Sequence, residues 1–285
     1  MLSVSADPPL AASKPRILLV EDQRIIALAT AQGMRKQGYE VALAGSGEEA
    51  LKLAGCGEDE EEAGFDLILM DVDLGSGMDG VEASQRILSE REIPIVFLTN
   101  HSDPDTVGRV REVSRYGYVL KSSGELQLQL AVEAALDLFN AHKRIGEREE
   151  ELEAIYESVP VSLLLVTPEM RVVRANREAR RTAGTMFPQL TNPLVGAVIR
   201  CVQALDDPEA CGSTPHCESC PVRRAVRSSL ESGSSHPRIE ALLPVEREGA
   251  IREVRCVMSI TPLGPRSEPR VLVAILEARD EYQRA

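Results

Sequence analysis

Three acids, a hydroxyl and a lysine stand where apolar runs end. Asp71 closes Leu67–Met70 (LILM), and the Gly-rich loop after it reads DLGSGMDG (73–80). Glu21 and Asp22 follow Arg16–Val20 (RILLV), Thr99 follows Ile93–Leu98 (IPIVFL), and Lys121 follows Tyr116–Leu120 (YGYVL). A continuous apolar run that breaks into polar residues is the pattern of a buried parallel strand. In open α/β sheets ligands bind at the carboxyl ends of such strands, and right-handed crossovers would gather all four ends at one rim. Alone, Asp71 reads as a strand-ending residue that caps its loop. Beside Glu21 and Asp22 it concentrates negative charge that suits a hard cation held by oxygen, such as Mg²⁺.

The elements that must position these groups alternate. Asp22–Gly38 is an amphipathic helix ended by glycine, Tyr39–Ala44 a short strand, and Ser46–Ala54 a helix with an early Glu pair. Val81–Glu92, Asp103–Ser114 and a segment from Gly124 onward supply further helices. The alternation predicts an α/β fold, a (βα)5 doubly wound parallel sheet. With five functional positions on four strands in this order, residues 14–140 resemble the receiver domain of bacterial two-component response regulators. The resemblance implies that Asp71 accepts a phosphoryl group from a histidine kinase. Mg²⁺ would be held by Glu21, Asp22, Asp71 and the backbone carbonyl of Asp73, linking Asp71 to the phosphoryl group and neutralising charge developing in transfer. Lys121 would pair with one phosphoryl oxygen and Thr99 with another, and Tyr118 would swing inward when Thr99 moves. Three positions depart from the family pattern. The loop after Asp71 is one residue longer and lacks its proline, Asn100 stands where a small residue is usual, and Ser122 stands where a proline is usual. They bear on switching geometry and on the cis peptide expected after Lys121, not on the reacting groups.

The chain has 285 residues, enough for two domains, and a net charge of −13. It has no basic cluster of the kind nucleic acid requires, so direct nucleic-acid binding is not expected. No apolar run approaches a membrane span, and residues 1–14 read as a flexible lead-in rather than a signal peptide, which together predict a cytoplasmic protein. The acidic run at 58–62 (EDEEE) reads as a solvated loop.

Beyond the receiver-like segment (15–140), Leu126–Ser158 has Gly146 as its one glycine and no proline. Leu138, Ile145, Leu152 and Val159 fall seven apart, with Ala141, Arg148 and Ile155 at the intermediate positions. The heptad predicts a signalling helix over 141–159 that pairs in a parallel homodimer, although Arg148 interrupts it. His142, in NAHKR, reads as a surface residue. After Pro160 come a hairpin (Ser162–Val166, Arg171–Arg174), a helix (Asn176–Ala183), a cysteine-bearing middle, and three strands (Arg238–Pro244, Arg252–Thr261, Arg270–Leu276). This α+β order resembles a PAS sensor domain with an antiparallel sheet over 160–285, with Asn176 where the family often has asparagine. The usual Asp and Gly of the first turn are missing. The ending ILEARDEYQRA is expected to leave the last strand as a helix.

Cys201, Cys211, Cys217 and Cys220 are spaced C-x9-C-x5-C-x2-C, with Pro221 after the last. A C-x2-C pair can share one metal and two more thiolates can complete a tetrahedron, with His216 as a substitute ligand. A Cys-Pro ending also occurs in iron–sulfur runs. The segment GSTPHCESCP reads as a loop able to wrap an ion. Zn²⁺, an iron–sulfur cluster, a reversible disulfide and inert thiols remain open alternatives; Cys56 and Cys256 read as structural. The expected whole is a response regulator addressing a downstream signalling protein, a phosphoacceptor with slow self-dephosphorylation rather than a metabolic enzyme. Two rivals are part of a histidine-kinase phosphorelay sensing redox state or metal through the cysteines, and a hydrolase using Asp71 as nucleophile with Asp73 as second acid.

Overall fold

A computed structural model describes residues 14–56, 64–75, 77–100, 104–113, 116–183, 193–204, 211, 214–247, 249–265 and 267–280. The acidic run at 58–62 lies outside them. The chain divides into two compact units, Met1–Glu147 and Arg148–Ala285.

In the first unit, β1 (Arg16–Val20), β2 (Glu40–Ala44), β3 (Leu67–Asp71), β4 (Ile95–Thr99) and β5 (Tyr118–Leu120) alternate with α1 (Arg24–Lys36), α2 (Gly47–Leu53), α3 (Gly80–Glu90) and α4 (Pro104–Val113). α5 (Glu125–Ser158) follows β5 after a 3-10 turn at Lys121–Ser123. The sheet is parallel in the order β2-β1-β3-β4-β5. Its central strands are apolar without interruption because both faces are covered. Leu18, Val20, Ile68, Met70 and Phe97 pack toward α2, α3 and α4, through Ala50, Ile87 and Val110. The alternate residues Ile17, Leu19, Leu67, Leu69 and Val96 pack toward α1 and α5, through Met34, Val132 and Ala135. Caps set the helix starts. The Ser46 hydroxyl accepts from the Glu49 N–H at 3.2 Å, and the Asp79 carboxylate accepts from the Glu82 N–H at 2.8 Å.

The second unit holds β6 (Ser162–Val166), β7 (Val172–Ala175), α6 (Arg177–Ala183), α7 (Val195–Val198), α8 (Pro215–Glu218), α9 (Pro221–Ser232), β8 (His236–Arg247), β9 (Ala250–Leu263) and β10 (Arg270–Asp280). Its sheet is antiparallel, in the order β7-β6-β10-β9-β8. Helices cover one face, and Val222 and Val226 of α9 join Leu243, Val254, Ile260 and Val273 in one core. Two expectations change. The segment read as a loop contains α8 and runs straight into α9, because Pro215 and Pro221 each occupy a first helical turn, where a missing N–H costs nothing. The end expected to turn helical continues as strand through Asp280, since β10 keeps pairing with β9 past a register shift at Ile275/Glu277, and the rest of that expected helix, 281–285, lies outside the described residues.

Asn176 ties this unit together. Fully buried (0 % exposed), it accepts from the N–H groups of Leu163 and Ala179, both at 3.0 Å. Its amide donates to the carbonyls of Val161 (2.8 Å) and Tyr156 (3.1 Å). It thus caps α6 while fastening β6 to the end of α5. A buried amide that is fully partnered is costly to truncate, since each group left unpaired loses about 1–3 kcal/mol. Asn176→Ala is therefore expected to destabilise the second unit by about 3 kcal/mol. The check is hydrogen exchange at the β6 amides, which should open markedly faster; unchanged protection would show these bonds to be redundant.

Candidate functional site

The parallel sheet delivers four of its strand ends to one place. Asp71 ends β3 and Thr99 ends β4, each 1 % exposed; Glu21, 2 % exposed, follows β1, and Lys121 follows β5. The Lys121 Nζ lies 2.6 Å from Asp71 Oδ2 and 2.6 Å from Glu21 Oε2. Carboxylate oxygens of Glu21, Asp22 and Asp71 fall within 4.8 Å of one another, and Asp22 is exposed. The Asp73 N–H donates to Asp71 Oδ1 at 3.1 Å.

The electrostatics are unbalanced, with three carboxylates around one ammonium. Burial pushes the Asp71 carboxyl up to about 6 and the Glu21 charge adds to this, while Lys121 and the Asp73 N–H pull the other way. Burial works against the Lys121 charge too, but Asp71 and Glu21 outweigh it and hold the ammonium above its ordinary range. Hard oxygen donors with unmatched charge are a donor set that fits Mg²⁺. Glu21, Asp22 and Asp71 would hold it.

Packing around the loop after Asp71 explains residues that sequence reading passed over. A methyl group on Gly80 would stand 1.8 Å from the Asp71 carbonyl oxygen, so α3 can start hard against the end of β3 only with glycine. The Gly80 N–H also bonds the Val72 carbonyl at 3.1 Å. Gly75, at φ +70°, lets the loop pass Asp22, whose Oδ2 would be 3.0 Å from a β-carbon there. Asp79 pairs with Arg109 of α4 at 2.5 Å, and Glu48 accepts from the Met78 N–H at 3.2 Å. The DG step before α3 was the one sequence signal for this anchoring. At the departures from the family pattern, the peptide bond after Lys121 is trans, and Ser123 closes the 3-10 turn by donating its hydroxyl to the Leu120 carbonyl. Tyr118 is 37 % exposed, turned outward.

In the second unit, Cys201, Cys211, Cys217, Cys220 and His216 line one cavity of about 380 Å³. All six cysteines are free thiols. Burial pushes the Cys201 and Cys211 thiols up, and the neighbouring cysteines of the set add to this. Cys256 is buried within β9, and burial raises its thiol as well. Among the described residues, the one group of three or more metal-binding side chains gathered within 4.8 Å is Glu21, Asp22 and Asp71, so the cysteines do not sit at single-ion spacing. No helix among the described residues is long and apolar enough to cross a membrane. His142 is exposed.

Residues 17–133 match the response regulator receiver domain family. Over 130 residues the chain is 38 % identical to the transcriptional regulatory protein PdtaR of Mycobacterium tuberculosis, covering 45 % of this chain and 60 % of that one. Over 153 residues it is 34 % identical to the transcriptional regulatory protein AfsQ1 of Streptomyces coelicolor, covering 54 % and 62 %. The solved N-terminal domain of a response regulator/sensory box/GGDEF 3-domain protein from Carboxydothermus hydrogenoformans shares 43 % identity over 45 % of this chain and 98 % of that one, with a TM-score of 0.40. The chain thus spans about 60 % of the length of these two curated relatives. The first unit is a response regulator receiver domain. Receiver domains bind Mg²⁺ at an acidic site and are phosphorylated by histidine kinases; Glu21, Asp22 and Asp71 form that acidic cluster here.

The raised Asp71 pKa carries a stability consequence. Folding holds the carboxylate where ionisation is disfavoured, so its penalty is absent below about pH 4, grows through the folded value near 6, and is complete above it. In the metal-free protein, Asp71→Asn is expected to stabilise the receiver by about 2 kcal/mol above that window and by nothing below it. Thermal unfolding at both pH extremes checks this. Added Mg²⁺ should raise the wild-type midpoint and leave that of Asp71→Asn nearly unmoved.

Proposed function

We propose that the chain is a two-component response regulator that accepts a phosphoryl group on Asp71 from a partner histidine kinase. The observation that carries this reading is the shared Lys121 ammonium, 2.6 Å from both Asp71 and Glu21. Mg²⁺, when bound, supplies neutralisation of the charge on the transferring group. Asp71 attacks phosphorus with its carboxylate, the kinase imidazole leaves, and an acyl phosphate forms. With its carboxyl pushed up to only about 6, Asp71 is mostly ionised at neutral pH and available as nucleophile. The Asp73 N–H holds the second Asp71 oxygen. Lys121 transfers its charge from the Asp71 carboxylate to a phosphoryl oxygen, and the Thr99 hydroxyl binds another. Tyr118 then follows Thr99 inward, favouring one of two packings that exist beforehand.

The second unit we read as a PAS-like domain that senses through its cysteine cavity or binds a partner. Its sheet order, with the helices inserted between the second and third strands, and the buried Asn176 after β7 support this. α5 couples the two functions and pairs with α5 of a second copy. Leu138, Ile145, Leu152 and Ile155 along it are exposed and apolar, at heptad positions. The output is a downstream signalling protein, and the chemistry is single phosphoryl acceptance with slow self-hydrolysis. The hydrolase alternative is disfavoured because Asp71 lies on the third strand and already shares Lys121 with Glu21. A kinase-phosphorelay role lacks support from His142, an isolated exposed residue.

Incubation with a small phosphodonor and Mg²⁺ should label about one site per chain, and Asp71→Asn should remove the label. Repeated turnover of the donor would instead support the hydrolase. Ile145→Asp, which buries a charge in the paired seam, should shift the protein from dimer to monomer in light scattering, while leaving labelling intact. A wild-type monomer at all concentrations would remove the pairing.

A further inference from the structure

The cysteine cavity takes part in no step of phosphoryl transfer, yet four separate points along the chain build it. Cys201 bridges to Val245 of β8, Cys211 lies against Gly196 of α7, Cys217 sits in α8, and Cys220 precedes α9 as its N-cap. All four line the same cavity of about 380 Å³. A pocket lined by four thiols forfeits contacts that aliphatic side chains would make there.

We propose that this cavity holds a four-iron, four-sulfide cluster ligated by Cys201, Cys211, Cys217 and Cys220. Spacing separates the cluster from a single ion. A tetrahedral zinc, with bonds of 2.3 Å, draws its sulfurs to about 3.8 Å from one another. No three of these four sulfurs come together within 4.8 Å. A cubic cluster carries its cysteine sulfurs on outer corners, roughly 6 Å apart, and fills the space between them with iron and sulfide.

The surroundings suit such a group. A methyl group on Gly196 would stand 2.7 Å from the Cys211 sulfur, so glycine there keeps that sulfur's place open although the backbone itself does not demand glycine. The backbone N–H groups of Gly196 and Gln203 favour the charged forms of Cys211 and Cys201, as N–H groups beside negatively charged sulfur ligands do. Four thiolates on the oxidised cluster leave a net charge of about −2. The amino end of α9 and Arg223 in its first turn, which lines the cavity, oppose that charge. Met170, Val195, Ile199 and Leu243 supply apolar wall. Loading replaces four S–H bonds by four Fe–S bonds and releases the four protons to solvent. Ferrous and ferric ions in equal number, with sulfide, give the cluster without net oxidation or reduction.

The test uses the full chain, purified without oxygen and reconstituted with iron and sulfide. Metal and sulfide analysis should return about four irons and four sulfides per chain with a broad visible absorption. Cys217→Ser and Cys220→Ser should each lose at least about half of the iron, and Gly196→Ala should lose iron while keeping all four cysteines. Cys56→Ser should keep it. Because a cysteine variant can fail to fold, the wild-type stoichiometry and the Gly196→Ala result stand as separate readouts, with circular dichroism reporting the fold. About one zinc per chain with no iron, no metal at all after reconstitution, or iron unchanged in the cysteine variants would overturn the proposal. Nothing in it rests on the receiver chemistry: Asp71→Asn should retain full iron, and the cysteine variants should retain the Asp71 label.

Discussion

One ammonium between two buried carboxylates organises the receiver. Lys121, Glu21 and Asp71 meet at the rim of a sheet whose interior is otherwise apolar, and Asp22 adds a third acid at the edge of solvent. Burying one carboxylate beside one ammonium can roughly break even, but burying a surplus carboxylate cannot. The surplus appears in the raised Asp71 carboxyl, and it is a standing cost in fold stability. A domain selected for stability alone would have replaced one of these acids. Keeping all three suits a cluster that holds a cation, which redistributes the charge. The rest of the unit holds the cluster in place: the glycine contact of α3 against β3, the trans 3-10 turn after Lys121, and the two apolar layers that clamp β3 on both faces.

The second unit solves a different problem of polar burial. Asn176 is wholly enclosed and satisfied, so it contributes specificity at little cost: hairpin, helix and the end of α5 are fixed by one amide. The cysteine cavity is the opposite case. Its thiols line one space, and burial, with the neighbouring cysteines adding to it, disfavours the thiolate at Cys201 and Cys211. In the first unit an arrangement that folding alone would not choose marks the acidic Mg²⁺ site.

Much of the receiver was legible beforehand because its signals are short-range and redundant. Each strand ends in a polar residue within a few positions of where the pattern breaks, and a parallel doubly wound sheet leaves little freedom in where those ends meet. Strand and helix bounds shifted by a residue or two; β5 shortened at its start to Tyr118–Leu120, where Gly117 takes a positive φ. Gly80 was illegible as an anchor, since its clash partner is a backbone atom nine positions away that only the packed fold brings near. In the second unit the strands were visible as alternating runs, but α9 was hidden. Its sequence, PVRRAVRSSLES, is polar on average, and its narrow apolar stripe of Val222, Val226 and Leu230 becomes meaningful only against the sheet. The end of β10 misled for the same reason: ILEARD has helix-forming residues, and pairing with β9 overrode them.

By itself, then, the sequence determined which residues carry charge and sulfur, the alternation that makes the first sheet parallel, and the rim at which Glu21, Asp22, Asp71, Thr99 and Lys121 gather. Those follow from local periodicity and chain handedness. The tertiary structure alone decided that Lys121 is shared between Glu21 and Asp71, that Gly80 and Gly196 are glycines for want of space, and that four cysteines line one cavity with no three of their sulfurs within 4.8 Å. These depend on distances between residues remote in sequence, which no local pattern encodes.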